Sequence, residues 1–255
     1  MIGKKLVALV FSPTGSTLKV VRRFSKHFED SEIIELTTGK SASNLEFDDE
    51  TMVLFAFPVY AGRVPDVYFD RLEDVYGDEN YAIIIGVYGN RHYDDALFEM
   101  YEMLSERDFN VIAAAAFVAE HTYSSKIAGG RPDEADLEMV DAFVDILQLL
   151  TPDDIPPKIP GDYPYREGVG VSTWAPYPSD GCISCGVCSM VCPVGIINPD
   201  GELPKEMIID CLHCMACVKR CPTNVRFADD EALLKLIAHL EENFAEPRKE
   251  PEIFL

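Results

Sequence analysis

The sequence predicts a doubly wound α/β domain built on a five-stranded parallel sheet, followed by a small α+β module that carries every cysteine. Two observations predict the first part. Residues 1–150 alternate short apolar runs with stretches whose apolar residues recur at helical spacing, and the runs are too uniformly apolar for a sheet wetted on one face. A third observation predicts the second part. All eight cysteines fall after residue 181, in two copies of one spacing.

The strand candidates are residues 6–11, 32–36, 52–57, 82–87 and 111–117. Between them, residues 17–28 place Val20, Val21, Phe24 and Phe28 on one face, and residues 94–107 and 133–150 repeat the pattern. Alternation of this kind argues for βαβ units in an open sheet. Residues 151–178 hold seven prolines and read as a semi-rigid connector, with Trp174, the single Trp, pinning it to a surface. Residues 179–226 form the cysteine module, in which 196–201 looks like a short strand entering a turn. Residues 227–255 give an amphipathic helix, capped by Asp229 or Asp230, and a tail. Its apolar stripe, including Leu233, Leu236, Leu240 and Phe244, should pack on the cysteine module or the first domain.

Cys182, Cys185, Cys188 and Cys192 are followed by Pro193, and Cys211, Cys214, Cys217 and Cys221 by Pro222. Short x2 intervals let one turn wrap three thiolates around an iron–sulfur cube. The spacing resembles the bacterial ferredoxin run, in which the fourth cysteine crosses to the other cluster. That resemblance assigns Cys182, Cys185, Cys188 and Cys221 to one [4Fe–4S] cluster, and Cys211, Cys214, Cys217 and Cys192 to a second. Disulfides suit small secreted domains, and zinc sites pair CxxC knuckles, so neither pattern matches.

The first strand runs into Ser12-Pro13-Thr14-Gly15-Ser16-Thr17 and then a helix. Hydroxyls at near-alternate positions, one Gly and a helix N-terminus make an anion site. Without GxxxxGK[ST] it is not a nucleotide triphosphatase loop. On this pattern residues 1–150 resemble flavodoxin, which implies strand order 2-1-3-4-5 and FMN at the carboxyl ends of the strands. Ser12, Thr14, Gly15, Ser16 and Thr17 would then hold the phosphate. The loop Pro58-Val59-Tyr60-Ala61-Gly62-Arg63 and the loop carrying Tyr88, Gly89, Asn90, Tyr93 and Asp94 would hold the ring. Tyr60, Tyr88 or Tyr93 would stack on it. Arg63 would face the flavin or pair with Asp66, and His121 would lie near the flavin or serve the structure.

With Tyr88-Gly89-Asn90-Arg91, Tyr93-Asp94-Asp95 and Gly130-Arg131-Pro132-Asp133, nearly the whole chain resembles the flavodoxin–ferredoxin fusion proteins of anaerobes. Unlike simple flavodoxins, its ring loops carry no Trp. The resemblance implies a low-potential electron carrier linking two [4Fe–4S] clusters and FMN to a redox partner protein. The alternative is an FMN-dependent reductase of a small organic acceptor, with Tyr93 or His121 donating a proton. No Gly-rich NAD(P) fingerprint is present. A net charge of −22 disfavours nucleic acid and favours partners with basic docking faces. No run approaches a membrane span, and unpaired thiols point to the cytoplasm.

Overall fold

The computed structural model describes residues 5–39, 41–43, 45–150, 157–168, 170 and 173–255. Of the proline-rich stretch, Pro152 and Pro156 lie outside the described residues. Five parallel strands form as the apolar runs require: β1 (Lys5–Val10), β2 (Asp30–Glu35), β3 (Thr51–Pro58), β4 (Tyr81–Tyr88) and β5 (Asn110–Val118). A sixth strand, β8 (Glu252–Phe254), returns antiparallel on β5, and the sheet order is β2-β1-β3-β4-β5-β8. The first five strands therefore follow the flavodoxin-like order, whose reversal beside β1 opens a crevice at the strands' carboxyl ends.

Alternation along each buried strand divides the core into two layers. Leu6, Ala8, Val10 and Leu54 face α1 (Ser16–Ser25) and α4 (Glu134–Leu147), meeting Val20, Val21, Phe24 and Phe143. Val7, Leu9, Phe55 and Phe57 face the other way, toward Tyr68 of α2 (Asp66–Arg71) and Leu97 and Met100 of α3 (Ala96–Ser105). Each fully buried aliphatic or Phe side chain contributes roughly 1.5–3 kcal/mol, so the sheet is a rigid support for the loops at its edge.

Helix boundaries differ from the periodic reading where the backbone forbids helix. The periodicity opens a helix at residues 94–95, yet Asp94 sits at φ 43° and the helix starts at Ala96. α4 begins behind Asp133, whose side chain and that of Asp136 form a reciprocal capping box.

Residues 196–201 make the expected turn, closed by Asn198 N–H donating to Glu202 O at 2.8 Å, but not the expected strand. Ile196 and Ile197 are instead buried against Cys217, with other cysteines nearby. A two-stranded sheet forms elsewhere, from β6 (Tyr177–Pro178) and β7 (Arg226–Phe227). It brackets the short helices α5 (Val187–Met190) and α6 (Ala216–Lys219).

The described part of the connector lies along α3: Tyr165 Oη donates to Glu102, and Arg166 N–H donates to Asp95 at 2.6 Å. α7 (Glu231–Phe244) is capped by the Asp230 carboxylate, which accepts from Ala232 and Leu233 N–H. It packs on the first domain, where Glu241 accepts from Ser124 Oγ at 2.6 Å and Lys126 Nζ at 2.7 Å. Among the described residues no helix is long and apolar enough to cross a membrane.

Candidate functional site

The turn after β1 is set by Ser12 and Gly15. Ser12 Oγ accepts from Leu18 N–H at 3.0 Å, and Ser12 N–H donates to Thr37 Oγ1 at 2.8 Å. Gly15 stands at φ 90°, which only glycine adopts freely, and turns the chain into α1. The N–H groups of Ser16 and Thr17 belong to the first turn, where a helix leaves its donors unpaired and its dipole favours an anion.

Beside this loop opens a cavity of ≈ 300 Å³, lined by Thr14, Ser16, Pro58, Tyr60, Tyr88, Gly89 and others from the strand ends. That is within the size of small-ligand sites. Tyr60 and Arg63 exchange backbone hydrogen bonds at 3.0 Å across a tight turn, with Ala61 at φ 51° and Gly62 at φ 87°. Positive φ at both central positions is the hairpin-type turn that holds Tyr60 at the wall. Burial raises the Tyr60 phenol well above its usual range and pushes Tyr88 up to about 12, so both stay neutral.

The structure brings Ser12, Pro13, Thr14, Ser16, Thr17, Pro58, Val59, Tyr60, Ala61, Tyr88 and Gly89 to this one cavity. Six expected residues do not line it, of which Gly15 serves the turn into α1. Gly62 lies under Asp94, where a methyl would meet Asp94 Oδ2 at 2.1 Å. Arg63 turns outward to Glu99, with its guanidinium 4.7 Å from the centre of the Tyr165 ring, so it pairs with Glu99 and not Asp66. Asn90 holds the tail, donating to Phe244 O and Pro247 O. Tyr93 is buried away from the cavity and donates to Glu252 at 3.1 Å. Asp94 pairs with Arg91 and Arg166. Loop membership placed these residues at the right edge, whereas their facing depends on the tail and α3.

Sequence reasoning missed several lining residues. Arg91, Arg166 and residues 119, 120, 122 and 123 add to the strand-end rim, beside His121, which the sequence places at that edge. Burial, then Lys219 and Arg91, holds His121 down at about 4. Leu212 and His213 close one side from the cysteine module, and Leu236 and Leu240 from α7. His213 stacks on Trp174 with ring centroids 3.8 Å apart and 4° between planes. The one signal for Leu212 and His213 along the chain is the Cys211-x2-Cys214 interval itself, whose two inner residues must face something.

The cysteines divide between two further cavities. Cys211, Cys214, Cys217 and Cys192 line one, with Leu212, Ile196, Ile197 and other apolar residues. Cys182, Cys185, Cys188 and Cys221 line the other. Burial pushes the Cys211 thiol up to about 11 and Cys214 to about 12. Four thiols around an apolar cavity suit a cationic iron–sulfur core, because a coordinating thiol is deprotonated outright and its charge compensated. The Cys211 set is joined to the first domain, where Thr122 Oγ1 donates to Cys214 O at 2.9 Å and Lys219 pairs with Glu120 at 2.9 Å.

Residues 181–225 match the model of the 4Fe-4S dicluster domain. The chain is 34% identical over 76 residues to a component of the ion-translocating oxidoreductase complex of Buchnera aphidicola. That match covers 24% of the chain and 16% of the relative. It is 25% identical over 88 residues to a component of the H(2)/formate:CoB-CoM heterodisulfide,ferredoxin reductase of Methanococcus maripaludis, covering 29% of the chain and 48% of the relative. The chain thus spans less than half the length of either. Among solved structures it is similar to oxidised flavodoxin 1 of Bacillus cereus, with TM-score 0.42 and 20% identity over 58% of this chain and 99% of that one. A Streptococcus pneumoniae flavodoxin gives TM-score 0.41 and 19% identity over 56% and 98%. The strand order, rather than these scores, carries the fold assignment. The chain joins a flavodoxin-like α/β domain to a C-terminal ferredoxin-type 4Fe–4S domain.

Proposed function

We propose that this chain carries low-potential electrons between two [4Fe–4S] clusters and FMN, and exchanges them with a redox partner protein. One observation carries the reading: Leu212 lines both the cavity at the strand ends and the cavity ringed by Cys211, Cys214, Cys217 and Cys192. The two sites share a wall one residue thick, and tunnelling rates fall exponentially with distance.

When bound, the clusters would exchange single electrons and FMN one or two. The chain supplies the rest. Cys211, Cys214, Cys217 and Cys192 would hold the inner cluster, and Cys182, Cys185, Cys188 and Cys221 the outer one. Ile196 and Ile197 exclude water from the inner set. Cys182 and Cys185 are exposed, and Ile183 beside them is 64% exposed, so the outer cluster is the side offered to a partner.

For FMN, Ser12, Thr14, Gly15, Ser16 and Thr17 would bind the phosphate, while Tyr60, Ala61, Tyr88 and Gly89 would flank the ring. Arg91 and Arg166 bring positive charge to the rim, which favours an electron-rich ring. The carrier is preferred to the reductase because neither named proton donor is suited to the task. Tyr93 is engaged with Glu252 away from the cavity, and His121 is neutral near pH 7.

An anaerobic redox titration of reconstituted protein, following flavin and cluster absorbance together, tests this reading. Iron and sulfide sufficient for two cubes, with flavin reduced in single-electron steps, is the expected result. Flavin reduction only as a two-electron event would favour the reductase. Absence of flavin binding would leave the clusters standing and remove the rest.

A further inference from the structure

We propose that Arg220, which belongs to the cysteine module, supplies the counter-charge for the phosphate held by the first domain's 12–17 loop. The inference rests on the FMN reading above. It makes the flavin site a composite, completed by the module placed to exchange electrons with it.

The loop itself offers only hydroxyls and N–H groups, with no Lys or Arg between residues 12 and 17. The cations that follow on α1 are engaged elsewhere. Lys19 Nζ donates to Pro132 O at 2.6 Å, Arg22 pairs with Glu35, and Arg23 pairs with Asp141. A phosphate monoester carries nearly two charges near pH 7, and the helix N-terminus offsets only about half of one, so a cation beside the loop would strengthen binding.

Arg220 is placed to provide it. It follows α6, its N–H donating to Ala216 O at 3.0 Å. Its guanidinium reaches across to the loop, where Nη2 lies 3.3 Å from the position a Cβ on Gly15 would occupy. Gly15 thus serves the turn through its φ and leaves room for the guanidinium. The neighbouring Lys219 is already paired with Glu120. Among the described residues no hydrogen-bond or ion-pair partner is found for the Arg220 side chain, in a chain with 44 carboxylates to 22 Lys and Arg. A planar guanidinium with five donors matches phosphate geometry better than an ammonium does.

Coupling follows by thermodynamic necessity. If phosphate binding draws on Arg220, FMN strengthens docking of the module, and a docked module strengthens FMN by the same factor.

The test uses the full cluster-loaded chain and its Arg220→Gln and Arg220→Lys variants, titrated with FMN and with riboflavin, which lacks the phosphate. Flavin fluorescence gives the affinities, and visible cluster absorbance confirms that each variant keeps its module. Arg220→Gln should weaken FMN about 10-fold, the lower range for a charged hydrogen bond at an exposed site, and leave riboflavin unchanged. Arg220→Lys should fall between wild type and Arg220→Gln. FMN affinity unaffected by Arg220→Gln, or an equal loss for riboflavin, would overturn the inference while leaving the flavin reading intact. A wild-type chain that binds neither flavin would overturn both.

Discussion

His121 shows how one side chain can be fixed by its surroundings. A methyl on Gly89 would meet its Cδ2 at 2.6 Å, and its ring centroid lies 5.3 Å from that of Tyr123. Its Nδ1 accepts from Tyr123 N–H at 3.2 Å. Burial, with Lys219 and Arg91 adding repulsion, holds the folded-state pKa at about 4, against roughly 6.5 in an unfolded chain. Between those values the unfolded chain binds a proton that the folded chain refuses. Stability is therefore complete above about pH 6.5 and falls as pH drops toward 4. From pH 7 to 5 this one group should remove about 1–2 kcal/mol. Urea midpoints of wild type and His121→Asn, which keeps an acceptor in place of Nδ1, provide the comparison. The variant should lose less stability than wild type across that interval. Equal losses would mean that His121 is not held neutral by burial.

At the scale of elements, the C-terminal tail acts as a clasp on the loop after β4. Lys249 N–H donates to Asn90 Oδ1 at 3.1 Å, and Lys249 Nζ donates to Arg91 O at 2.6 Å. Arg131 Nη1 in turn donates to Lys249 O at 2.7 Å. The Arg131 side chain is 3% exposed and rests on the fully buried Asp136, whereas Arg248, 41% exposed, pairs with Asp133. The two pairs should differ sharply in worth. Asp136→Ala leaves a buried guanidinium without its carboxylate and should cost about 3–5 kcal/mol. Arg248→Ala should cost under about 1 kcal/mol. Chemical denaturation of the two variants checks this, and comparable losses would show that the clasp is held by its surface pair. The clasp also marks the limit of what the sequence makes legible. Strands β1 to β5 are readable because long apolar runs between helical stripes admit few other arrangements. β8 is three residues with no period to detect, and its partner β5 is remote in sequence. The 12–17 turn is readable because a strand end, a glycine and a helix start are neighbours along the chain. Leu212, His213, Leu236 and Leu240 are not, since they reach the cavity only through packing of the cysteine module and α7. Tyr93 reads as a ring contact from its loop alone, and only the return of Glu252 explains its facing.

For the molecule as a whole, net charge and the placement of cations pull in different directions, a difference that a basic partner would feel. The chain carries −22 overall, yet Arg91 and Arg166 stand at the strand-end cavity and Arg220 lies beside Gly15 of the 12–17 loop. Arg91 and Arg166 share the single carboxylate of Asp94, so positive charge remains at that edge while the net negative field belongs to the rest of the surface. The outer cysteine set opens on that surface, with Ile183 at 64% and Met190 at 67% exposure offering apolar contact. A basic partner would be steered by the long-range field and then seated by those apolar side chains. Steering weakens as the Debye length shrinks from about 10 Å at 0.1 M salt to about 3 Å at 1 M. Anaerobic stopped-flow reduction of a strongly basic one-electron protein should therefore slow by roughly 10-fold or more over that range. Reduction of a small neutral acceptor should change little, because an uncharged molecule feels no such field. A basic protein whose rate matched the neutral acceptor's salt response would remove the electrostatic argument for docking. Its transfer would then have to rest on the apolar contact around Ile183 and Met190 alone.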